Sequence, residues 1–186
     1  HQEVDCLGGF DTNIAPAHNS KLRRMAGLAA ENTERAWVLD SGIALHASPK
    51  SDLIYCDWVP GGMQSYRASA IQGKRFDGRI RMFGEDVEFQ MRCFGRPNQI
   101  ATSCTLGVDH SSDQSGKSNH TQSALYSDGF RWRLSKDHPD RVKGHKVLMT
   151  TVILAFGEIV TGLLMARTAS AQRGLGHILF LYRLVR

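Results

Sequence analysis

"RMFGEDVEFQMRCFGR", residues 81–96, is the stretch on which the reading of this chain turns. Val87, Met91 and Phe94 recur at i, i+4 and i+7, which predicts one apolar face of a helix over 85–94. Gly84 stands just before the helix start, and Glu85 and Asp86 occupy its first turn. Carboxylates there are favoured by the helix dipole, typically by ~0.3–1 kcal/mol, so the acids have a purely structural explanation. The competing explanation is that one of them is a catalytic base. Glu88 and Arg92, spaced i, i+4, read as a surface ion pair without chemistry.

Outward from this helix, strand and helix signals alternate, which predicts an α/β fold. Upstream, "EVDCLGGF" (3–10) reads as a short strand ending in a Gly-Gly turn, and "AWVLDSGIALH" (36–46) as a further strand. "SDLIYCDWVPGG" (51–62) reads as a buried strand stopped by Pro60 and two glycines, and "SYRASAIQGK" as a short helix ending at Gly73. Downstream, "NQIATSCTLGV" (98–108) is β-like, "DHSSDQSGKSNHTQS" (109–123) is a solvated loop, and the chain from about Ala124 is helical in character.

The chain has 186 residues and a formal net charge of +5, with pI near 9.2. This length suffices for a real hydrophobic core. The charge is compatible with an anionic ligand, a nucleic acid or an acidic membrane surface and does not choose among them. Cys6, Cys56, Cys93 and Cys104 form no CxxC pair and no zinc-site spacing, so they are expected as reduced thiols of a cytoplasmic protein. No nucleic-acid-binding motif is present, and the basic residues are not interleaved with aromatics in a stripe. "SDQSGKS" (112–118) lacks the first glycine of a P-loop, since Ser111 holds that position.

Before the GED helix stands "DWVPGGMQSYR" (57–67), followed by "RFDGRIRMFGEDVEF". In order, Trp58, Pro60, Gly61, Gly62, Tyr66, Arg67, Phe76, Asp77, Gly84, Glu85 and Asp86 make a series that resembles the C-terminal half of family 2 glycosyltransferases, the inverting GT-A enzymes. The resemblance covers roughly residues 4–140. It implies a partial GT-A fold (a nucleotide-diphospho-sugar transferase fold), with Asp86 as general base toward an acceptor hydroxyl and Glu85 lining the acceptor site. An ordinary Asp is already ionised at pH 7, as such a base must be. The resemblance further implies that Trp58 offers a ring face to a sugar and that Gly61 and Gly62 let the backbone approach the donor. His110 matches a histidine that helps hold the metal or diphosphate in some GT-A enzymes. "DGFRW" (128–132) resembles the QxxRW motif of membrane-embedded polysaccharide synthases, with Asp128 in place of Gln; Arg131 and Trp132 are then candidates for a diphosphate or acceptor contact.

The same resemblance implies a nucleotide-sugar donor, a glycan or lipid-linked acceptor, and a divalent Mg²⁺ or Mn²⁺ held by an N-terminal DxD motif. No DxD occurs in this chain, which begins HQEVDCLGG. The expectation is therefore a C-terminal portion, inactive alone, whose metal motif lies upstream.

"VLMTTVILAFGEIVTGLLMA" (147–166) is nearly all apolar and long enough to span a membrane, with Glu158 inside it. Lys143, His145 and Lys146 precede it, and Arg167, Arg173, Arg183 and Arg186 follow. Three placements stay open: packed on the catalytic domain, lying in the membrane interface, or spanning. Residues 175–185 form a second apolar helical stretch, so an αα-hairpin is expected. The expected organisation is a transferase half-domain over 1–140 and a hydrophobic helical tail over 141–186, at the cytoplasmic face of the membrane. The alternative function is a non-catalytic, membrane-associated binding module in which the GED acids only cap a helix.

Overall fold

The computed structural model describes residues 4–13, 20–80, 84–95, 98–109 and 119–186. It is a mixed α/β structure in two compact units, one over 1–24, 29–39 and 43–112, the other over 25–28, 40–42 and 113–186.

The first unit is built on a small mixed sheet. Its strands are β1 (Cys6–Asp11), β4 (Ile54–Tyr55), β5 (Gln64–Tyr66) and β6 (Ile100–Val108), in the spatial order β4-β6-β1-β5. The central pair β1–β6 is parallel, with Cys6 opposite Ile100, and both outer strands are antiparallel to their neighbours. Between β1 and β4 come the short helix α1 (Lys21–Met25) and a two-stranded ribbon of β2 (Trp37–Val38) and β3 (Ala44–Leu45). Helix α2 (Ala68–Ile71) follows β5, and α3 (Glu85–Cys93) leads into β6.

Four sequence expectations change here, two of them simply: residues 36–46 form the β2–β3 ribbon rather than one strand, and Ser65 and Tyr66 belong to β5 rather than to the helix that follows. Gly8 and Gly9 do not end the first strand; they lie inside β1, whose register shifts between Gly8 and Phe10. The reason is space: a Cβ on Gly8 would meet the Cβ of Val59 at 2.4 Å. The strand expected over 51–59 shortens to Ile54–Tyr55, because residues 57–61 turn away to bond elsewhere.

Helix α3 forms as its pattern predicts. Val87, Met91 and Phe94 are buried, joined by Phe89. Phe94 stacks on Tyr66 of β5 at 5.7 Å, and Phe76 stacks on Phe89 at 4.3 Å. Offset or stacked ring pairs of this kind add about 0.5–1.5 kcal/mol beyond the area they bury. The Glu88–Arg92 pair also forms, at 2.6 Å, but not as a surface pair: Glu88 is buried, while Arg92 reaches the carbonyl of Arg75 at 2.7 Å.

The second unit consists mainly of α4 (His120–Asp137), α5 (Gly144–Leu164) and α6 (Thr168–Val185). Helix α4 packs on α6 and α5, so it belongs with the helical tail, and the expected division at 140 moves upstream of α4. Asn119 caps α4 by accepting from the Gln122 N–H at 3.2 Å. The α5–α6 pair is the expected αα-hairpin. Its helices and α4 approach closely at small residues: a Cβ on Gly174 would lie 2.6 Å from Ile159, and one on Gly176 would lie 2.2 Å from the Thr121 carbonyl oxygen. Glu158 faces α6 and pairs with Arg173 at 3.0 and 3.1 Å.

No disulfide links the four cysteines. Burial, with Asp5 adding to it, pushes the Cys6 thiol up to about 12; burial pushes Cys56 up to about 11. Because the thiolate is the reactive form, we expect a thiol reagent at neutral pH to titrate only Cys93 and Cys104 in the native protein. All four should react in denaturant. Rapid native reaction at Cys6 or Cys56, located by peptide mapping, would contradict this packing.

Candidate functional site

The site is assembled by the segment Asp57–Gly61, which is held from two sides. On one side is the β2–β3 ribbon. The Asp57 carboxylate accepts from the Val38 N–H at 3.0 Å and from Arg35 at 2.9 Å, and the Trp58 indole N–H donates to the Leu45 carbonyl at 3.2 Å. On the other side is α3. Gln90 bonds both backbone groups of one residue: Oε1 accepts from the Val59 N–H at 2.8 Å, and Nε2 donates to the Val59 carbonyl at 2.7 Å. Nε2 also donates to Gln64 at 2.9 Å, whose Oε1 accepts from the Tyr66 hydroxyl at 2.6 Å.

One helical turn before Gln90, Asp86 continues the same seam. Its Oδ2 accepts from the Gly61 N–H at 2.8 Å, and its Oδ1 accepts from the Val87 N–H at 2.8 Å. A Cβ on Gly61 would crowd the Asp86 Cβ at 3.2 Å, so glycine at 61 is what lets the loop come this close. Gly84 enters the helix at φ +87°, a left-handed conformation that only glycine adopts readily. Thus each residue of "GED" except Glu85, which is exposed, has a defined local task. Each Asp86 oxygen accepts one backbone bond and keeps a further lone pair, so the carboxylate is oriented but still able to take a proton.

Trp58 does not present a ring to solvent. It is 4% exposed, and its place is the core beneath His46, whose ring meets it edge-on at 5.0 Å. His46 is the solvent-exposed aromatic group here and was not singled out from the sequence, where it is a lone histidine without a motif. Desolvation by partial burial lowers its pKa below the ordinary histidine value; the charges of Asp11 and Asp86 pull it the other way and do not prevail. Gly62 is exposed, with open space where a side chain would project.

The remaining candidates sit in the helical unit or outside the described residues. Arg131 is 3% exposed and engaged inside the bundle with Asp128, the Thr151 hydroxyl and the Ser41 carbonyl. Asp128 also bonds His177 at 2.6 Å. The acid that replaces Gln in the QxxRW-like motif thus takes up the guanidinium expected to meet a diphosphate. Trp132 is half-buried, with the Lys136 ammonium 4.3 Å above its ring. His110 lies outside the described residues. Among the described residues no three His, Cys, Asp or Glu side chains converge.

Comparison with protein-family models, curated proteins and solved structures returns no match to this chain.

Two measurements test this geometry. Gln90→Ala would strand the buried N–H and C=O of Val59, and we expect destabilisation on the order of 3 kcal/mol in urea unfolding. A change within error would mean that Gln90 does not hold the loop. For His46, the folded protein binds a proton less readily than the unfolded chain. Its contribution to stability is therefore complete above the ordinary value of 6.5 and declines as pH falls below it. An imidazole titration by NMR should place its midpoint under 6.5, and His46→Gln should flatten that part of the stability curve.

Proposed function

We propose that the chain carries the acceptor-side half of an inverting, family 2-type glycosyltransferase of GT-A fold, with Asp86 as its general base. In this reading an acceptor hydroxyl of a glycan or lipid-linked glycan attacks the anomeric carbon of a nucleotide sugar. The new C–O bond forms as the bond to the diphosphate breaks, the nucleoside diphosphate departs, and Asp86 takes the hydroxyl proton. Glu85, exposed one residue before it, would meet the acceptor. The observation that carries the proposal is the Gly61–Asp86 hydrogen bond. It joins in space the two segments, 25 positions apart, whose order along the chain resembles the family. A small mixed α/β sheet is compatible with part of a GT-A domain. No step is assigned to a metal, because the described residues do not assemble a site for one.

A second reading, a non-catalytic binding module, is favoured by the burial of Trp58 and by the two backbone bonds that Asp86 accepts. One experiment separates the two. Asp86→Asn in the full-length gene product keeps the shape and one acceptor oxygen but removes the base. Transfer from a nucleotide sugar in the presence of Mn²⁺ should fall by ~10²–10⁴, with a cooperative melting transition kept but lowered, because the amide accepts only one of the two backbone N–H bonds that the carboxylate takes. Equal transfer by both proteins would reduce Asp86 to a loop clamp.

A further inference from the structure

Helix α5 shows a face for which the interior of the protein has no use. Met149, Val152, Phe156, Leu163 and Leu164 recur at helical spacing on its exposed side, and Phe156 and Leu163 are 72% and 76% exposed. No charged residue interrupts this stripe. Glu158, the one acid in the apolar run, lies on the opposite side and is paired with Arg173 of α6. Thr150 and Thr151, also away from the stripe, are fully buried. Helix α6 carries a similar exposed set in Leu175, Ile178 and Tyr182.

The charge of the chain is distributed to match. Residues 119–186 hold ten Lys and Arg against four Asp and Glu, whereas residues 1–118 hold thirteen against fourteen. The net +5 of the whole chain therefore resides in the helical part. Lys143 and His145 stand exposed at the start of α5; Arg167 stands just past its end, and Arg183 and Arg186 near the end of α6. An apolar helical face with basic residues at both ends of its helix has the chemistry to meet an anionic lipid surface.

We propose that the helical unit docks on an anionic membrane surface, with α5 lying in the interface and its stripe against the acyl chains. A spanning orientation would carry the Glu158–Arg173 pair into hydrocarbon, at a cost the interfacial orientation avoids. This inference does not depend on the transferase reading.

The test is flotation of the full chain with vesicles of mixed zwitterionic and anionic phospholipid, and with purely zwitterionic vesicles. We expect binding to the former, weakened by salt and by alkaline carbonate, and partition lower by about tenfold or more on the neutral vesicles. The double variant Phe156→Glu, Leu163→Glu should lose binding while keeping its helical circular dichroism. Arg167→Glu with Arg183→Glu, which leaves the apolar stripe intact, should also weaken it and serves if the first variant fails to fold. The proposal is overturned if the folded wild type ignores anionic vesicles, or if both variants bind like it. Resistance to carbonate would instead make α5 a span. A dimer in sedimentation that the first variant disperses would give the face to a second copy of the chain.

Discussion

Everything in the sheet unit that bears on chemistry depends on how residues 57–61 are held. A segment ending in proline and glycine, with a further glycine after it, has little order of its own. Here its peptide and side-chain groups are bonded first to the β2–β3 ribbon, through Asp57 and Trp58, and then to α3, through Val59 and Gly61. The Gln90 amide is the centre of this clamp. It is fully buried and bonds both the N–H and the C=O of Val59, much as a residue of a neighbouring strand would. In a water-poor surrounding such a pairing is costly to lose from either side. The side chain of Val59 is fixed in turn by the bare backbone of Gly8, which ties the clamp to the central strand.

The clamp also clarifies what the resemblance to glycosyltransferases rests on. Arg67 bonds the carbonyl of Val4 and pairs with Asp5, Phe76 covers Phe89, and Gly61 makes room for Asp86. Most residues of the ordered series are thus framework, placed to bring the start of α3 against the loop. Asp86 accepts a structural bond on each oxygen and keeps a further lone pair on each. That combination is what the proposed base requires, and it is also why a binding module would look similar at this point.

Much of the fold was readable from local pattern. The i, i+4, i+7 spacing of Val87, Met91 and Phe94 identifies α3, and the apolar runs identify α5 and α6. What the pattern could not carry was tertiary pairing. Gln90 reads as an ordinary polar helix residue, because nothing local reveals that a peptide group lies opposite it. His46 has no motif, and its interest arises only from a ring and carboxylates brought to it by other segments. Trp58 could be read as an open ring or a core ring, and the β3 carbonyl that takes its N–H decides for the core. Arg131 likewise depends on Asp128, three residues earlier on the same helix, whose burial makes a pair in place of an anion site.

The glycines that let α6 approach α4 and α5 have a consequence for the medium in which the bundle can exist. Contacts made by close backbone approach draw on dispersion and fit, and these persist whether water or hydrocarbon surrounds the helices. A bundle held mainly by large apolar side chains gains its cohesion from the exclusion of water, and that advantage disappears in lipid. The interlock of Gly174 with Ile159 and of Gly176 with the Thr121 backbone does not carry that dependence. These two contacts are accordingly indifferent to the polarity of whatever lies against the outer face of the bundle.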